Sequence, residues 1–219
     1  MNEYLLVKFL HLVGFAYWLG GDLGVFISSF PVVNEKLPRQ ARVAAAGILF
    51  RADLGPRISM TLTLPLGMQL AWMLGLLPVG GSAMGAIWFV CLGWLAMVVA
   101  LQALTPGRFK SVLTAIDFYF RVAVSLSLIG IGLHSLLGLG PLLYWVAAKL
   151  AIFGGLVGCG LLIRVNLKPF GAAFANLAAG TATDADNAAM RKHLGATRPI
   201  VVTIWLGLIA SAALGLRLI

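Results

Sequence analysis

Six stretches of this chain, at about 4–30, 58–77, 82–104, 120–139, 141–164 and 199–218, are mostly apolar and long enough to cross a bilayer. A spanning helix takes about 20 such residues at roughly 1.5 Å each. In hydrocarbon every backbone N–H and C=O needs a partner within the protein, so runs of this kind fold as helices. Only 11% of the residues are charged against 61% hydrophobic, where a soluble domain has about 25% charged. The soluble class is thereby excluded. The expected fold is all-α, a single integral membrane domain over residues 1–219 built as a polytopic bundle of six transmembrane helices. The first run opens on Glu3 without a basic cluster, and no small-x-small site follows it. It therefore reads as a span and not as a cleavable signal.

The basic residues then set the topology. The first gap holds Lys36, Arg39, Arg42, Arg51 and Arg57. The third holds Arg108 and Lys110 with Arg121 at its edge, and the fifth holds Arg164, Lys168, Arg191, Lys192 and Arg198. That is thirteen of the sixteen Lys and Arg, and the two Gly/Pro-rich gaps, PVGGS at 78–82 and LGLGP at 137–141, hold none. Loops rich in Lys and Arg stay cytoplasmic. Both termini are therefore expected on the outer, periplasmic side of a multi-pass inner (plasma) membrane protein. The net charge of +9 is explained by this arrangement, and nucleic acid is excluded as a partner. Two long gaps have the marks of cytoplasmic surface helices. The one at 38–54 opens on Pro38 and ends at Gly55. The one at 183–195 has Thr183 or Asp184 as its cap, Asp early, Arg-Lys-His late and Gly195 as its stop.

Ionisable groups inside a bilayer are costly, so they mark a job or a partner. The first run, KFLHLVGFAYWLGGD at 8–22, carries Lys8, His11 and Asp22. At about 100° per residue, Phe15, Trp18 and Asp22 fall within about 40° of His11, which makes one stripe facing the bundle interior. Asp22 is expected to pair with Arg51 or Arg57. His11 lies roughly 9 Å below the outer edge, His134 at the same depth, and Lys149 roughly 12 Å down. Gln69 falls at a similar level. His134 also sits between Gly130 and Gly138, whose missing side chains leave room for a flat macrocycle or for a neighbouring helix.

Two imidazoles at one depth suggest a b-type haem with His11 and His134 as axial ligands, or with one of them as the sole ligand. Lys149 and Lys8 would anchor or tune it, and Trp18 and Gln69 would line its pocket. The resulting role is redox or electron transfer, as a haem-dependent membrane oxidoreductase. Copper is the alternative, held by the same histidines with Met68, Met73 or Met84. A third reading is an accessory membrane subunit whose polar residues only pack helices. Partners would be the bilayer, a redox partner or quinone, and a further copy of the chain meeting Gly-rich helix faces. Cys91 and Cys159 lie inside apolar runs and read as small buried hydrophobes.

Two stretches also carry a family likeness. PLLYWVAAKLAIFGGLVGCGLLIRVNLKP at 141–169 and RKHLGATRPIVVTIWLGLIASAALG at 191–215 resemble the copper-resistance CopD family through Lys149, Arg164, Asn166 and Pro169. LVKFLHLVGFAYWLGG, from residue 6 on, resembles the first helix of that superfamily and of HemJ-type protoporphyrinogen oxidases. RADLGPRISMTLTLPLGMQLAWMLGL at 51–76 resembles the HemJ helix that follows. The HemJ resemblance implies association with haem through a helix-1 His and a later Lys, which correspond here to His11 and Lys149. The CopD resemblance implies copper passage or homeostasis.

Overall fold

The computed structural model describes residues 2–218, and among them there is no strand. Eight helices run in the order α1 (Glu3–Val32), α2 (Arg39–Ala52), α3 (Leu54–Met73), α4 (Gly81–Ala103), α5 (Arg108–Leu136), α6 (Tyr144–Asn166), α7 (Lys168–Ala179) and α8 (Asp184–Gly215). Five of them, α1, α4, α5, α6 and α8, are long and apolar enough to cross a membrane. The protein is therefore membrane-embedded.

The run expected at 58–77 is α3, and it does not join those five. Arg57 and Gln69 lower its mean hydropathy, and it is also the most enclosed of the long helices. Ser59, Thr61 and Thr63 are buried, together with Met60, Leu64, Pro65 and Leu66, so this helix faces protein on most sides and needs less apolar surface than one facing lipid. The six long helices close a ring in which α3 packs between α1 and α4, α4 meets α5, α5 meets α6, α6 meets α8, and α8 returns to α1. Trp18, Met60, Leu64, Trp94, Phe153, Val157 and Leu208 belong to the core inside it.

Close approach depends on glycine where helices touch through backbone. A Cβ on Gly132 of α5 would lie 2.7 Å from the Ala147 carbonyl oxygen of α6, and one on Gly154 of α6 would lie 2.7 Å from the Ser125 carbonyl oxygen. Ser125 Oγ donates across the same contact to the Gly154 carbonyl at 2.7 Å. This is small-residue packing of the kind membrane helices use, directed inward within one chain.

Three boundaries differ from expectation. α5 starts at Arg108, about three turns before the apolar run at 120. The helix expected at 183–195 does start on Thr183, whose side chain and Asp186 form a reciprocal capping box, but it does not stop at Gly195. It continues through Pro199 into the last span. α7 was not anticipated. It packs with α8, and Phe170, Ala173 and Leu177 join Val32, Ala46, Leu49, Met190 and Leu194 in a second core beyond the ring. Buried Arg42 ties this end together, donating from Nε to the Val32 carbonyl at 2.9 Å and from Nη2 to Asn187 at 3.0 Å.

Candidate functional site at the terminal end of the bundle

The start of α1, the ends of α3 and α8 and the start of α6 meet at one end of the ring. There the His11 ring lies against α3. A Cβ on Gly67 would come within 3.0 Å of His11 Cε1, and one on Gly14 within 2.8 Å of Thr63 Oγ1. Both glycines are therefore what lets α1 and α3 close around the imidazole. His11 Nδ1 and Thr63 Oγ1 are buried and make no hydrogen bond of good geometry, the Thr63 backbone being the polar group nearest the ring. An unmet buried polar atom costs about 1–3 kcal/mol, so this pair is a place where a bound group would be stabilising.

Lys149 of α6 acts electrostatically on the His11 ring. Its ammonium lies 5.9 Å from the Trp145 ring centroid, and a Cβ on Gly215 of α8 would lie 3.0 Å from Nζ. Trp18, 3% exposed, stands edge-on to Phe153 at 5.6 Å between centroids. One face of α1 thus turns inward with His11 and Trp18 on it, and α6 brings Lys149 to the same region.

His134 does not join them. It is exposed in the last turn of α5, and α1 and α5 are not adjacent in the ring. The inward stripe of α5 runs through Asp117, Arg121, Ser125, Leu128, Gly132 and Ser135. His134 follows Ser135's neighbourhood in depth but is turned about 100° from it. Of its two flanking glycines, Gly130 meets nothing within 4 Å. Gly138 has φ +75° and ends the helix, with Gly138 N–H donating to Ser135 and Leu139 N–H donating to the His134 carbonyl, the Schellman closure. The two-imidazole grip expected from matched depths is not assembled.

Three other expectations are corrected. Gln69 accepts from Trp88 Nε1 at 3.0 Å, which engages it with α4. Lys8 is exposed on α1. Asp22 has no salt bridge, because Arg57 pairs with Asp53 of its own segment. Met84 is a core residue, with Met68 packed against that core. Among the described residues no three His, Cys, Asp or Glu side chains cluster as metal ligands. Thr63, Gly14 and Gly67 were not anticipated, since nothing in a single sequence says which residues of α3 meet α1.

Comparison of the chain with protein-family models, with curated proteins and with solved structures gives no match.

Proposed function

We propose that this is a six-span membrane protein, both termini outside, that binds a b-type haem at its outer end through His11 and serves a redox role in the inner membrane. α3 is the sixth span of this reading. The excess of Lys and Arg at the opposite end of the bundle supports that orientation.

The observation that carries the haem reading is the buried His11 Nδ1, which makes no hydrogen bond of good geometry, on a ring set against Gly67 of α3 and within electrostatic reach of Lys149. Imidazole is a ready ligand of haem iron, and a bare glycine opposite the ring is what admits it. His11 is the sole protein ligand in this reading. Lys149 supplies a cation against haem carboxylates, and Trp18 holds the inward face of α1 in place through Phe153. A haem bound there would supply one-electron chemistry, while the chain itself orients the imidazole between Gly67 and Thr63.

The test is the visible absorption spectrum of the purified protein, oxidised and then reduced. A Soret band that sharpens and shifts on reduction, is lost in His11→Ala and is kept in His134→Ala supports the assignment. A colourless wild-type protein purified from haem-replete cells overturns it.

A further inference from the structure

The end of the bundle opposite His11 holds a second polar site. A cavity of about 310 Å³ is lined by Arg57, Gln102, Lys110, Asp117, Arg121 and Arg164. They come from the starts of α3 and α5 and the ends of α4 and α6, so four helix ends converge on it. Val98 and Leu101 give it an apolar wall. At about 30 Å³ per water, it has room for a group of roughly ten water volumes.

Charge decides what such a cavity accepts. Asp117 is fully buried and receives Arg121 Nε at 3.0 Å and Arg164 Nη2 at 2.6 Å. Arg57 pairs with Asp53. Four cations stand against Asp117 and Asp53, with the Asp22 carboxyl also within reach of Arg57, so at least one positive charge is left in surplus. Donor capacity is in surplus as well. Arg164 Nη1 is buried with no partner. Lys110 gives only one bond, to the Leu104 carbonyl at 2.7 Å, and an ammonium carries three donors. Arg121 Nη1 has only the Met60 sulfur at 3.9 Å. Excess positive charge and free donors around a partly enclosed space suit an anion with several acceptor oxygens, and basic pockets between spanning helices suit phosphate head groups.

We propose that this cavity binds a phosphate group, from a phospholipid head group or from free phosphate. The apolar wall at Val98 and Leu101 gives a head group's glycerol a dry surface. Under the topology proposed above the cavity opens at the inner leaflet, but the charge argument holds for either leaflet and is independent of haem at His11.

The experiment uses the full chain in a non-ionic detergent. Phosphatidylglycerol, phosphatidylcholine and inorganic phosphate are titrated separately, with bound lipid read by native mass spectrometry and phosphate by thermal shift. Saturable phosphatidylglycerol binding with phosphatidylcholine weaker and phosphate inert identifies the head group. A saturable phosphate response, competing with the lipid, identifies free phosphate. In either case Lys110→Gln and Arg164→Gln weaken binding about tenfold each, the loss of one charged hydrogen bond, while Lys192→Gln on the exposed face of α8 does not. Lys110→Gln leaves both arginine contacts to Asp117 intact, so its fold is preserved if Arg164→Gln proves unstable. Lipid binding that is unchanged in a folded Lys110→Gln, or no saturable binding of either lipid or of phosphate, overturns the proposal.

Discussion

Replacing Asp117 by Asn removes the only carboxylate between Arg121 and Arg164 while keeping the side chain's shape. The carboxylate oxygens lie 2.6–3.0 Å from the guanidinium nitrogens, which puts the charge centres about 4 Å apart. Each such pair gives about 4 kcal/mol at an effective dielectric of about 20. Desolvation offsets much of this in the folded protein, but the variant keeps the arginines' desolvation and loses the attraction. Arg121 is 6% exposed and cannot turn to water, whereas Arg164 is less enclosed and partly can. Breaking a buried pair from one side costs about 3–5 kcal/mol, and that is the expected destabilisation. Thermal or SDS-driven unfolding in micelles, followed by circular dichroism, reads it. The same substitution in an Arg121→Met background should cost at least about 1 kcal/mol less, because the stranded charge is gone. A loss under about 1 kcal/mol for Asp117→Asn alone, or strict additivity with Arg121→Met, would refute the reasoning.

Three further outcomes are expected. Gly154→Ala should destabilise by about 1–3 kcal/mol in the same unfolding assay, since its Cβ would meet Ser125 and Ile129 backbone atoms at 2.7 and 2.9 Å; Gly85→Ala on α4, with nothing within 4 Å, should be neutral or mildly stabilising. Gly67→Ala should displace the His11 ring by a few tenths of an ångström and shift the haem bands, and an unaltered spectrum with full haem content would remove Gly67 from the site. Bonds from Thr183 N–H, Thr183 Oγ and Asn176 hold the Asp186 carboxyl below its ordinary pKa. Its stabilisation of the α8 start is therefore complete above the unfolded value near 3.9 and fades as pH falls through the folded value. Hydrogen exchange at the first turn of α8 should rise over that window relative to Asp186→Asn, and identical profiles for the two proteins would contradict this.

Much of the fold was legible because lipid imposes long apolar runs, and most helix limits lie within a few residues of those runs. The start of α8 was legible to within one residue, Thr183 or Asp184, for a local reason, a capping side chain followed by early Asp; the structure selects Thr183 with Asp186. What was not legible depends on tertiary packing. Gly195 and Pro199 look like a stop and a break, yet α8 continues through both, with Met190, Leu194 and Thr197 buried along it. α7 does carry a periodic stripe, Phe170, Ala173, Phe174 and Leu177 at helical spacing, and only Leu167 separates it from α6, so it is hidden as a tail of the preceding span.

For the site, depth and angle differed in value. The angular stripe on α1 placed Trp18 inward correctly, while depth alone paired His134 with His11. The residues at 117, 121, 125, 128, 132 and 135 follow helical spacing, and that pattern already turned His134 off the inner face. It also marked Asp117 and Arg121 as a buried polar pair, although Arg121 had been read only as a residue bordering a basic gap.

The most direct test of His11 as the haem ligand is haem per chain by pyridine haemochrome, on wild type, His11→Ala and His134→Ala purified identically. The predicted values are about one, near zero and about one, as a single protein ligand on iron requires. Full haem content in His11→Ala, or its loss in His134→Ala alone, would contradict the account.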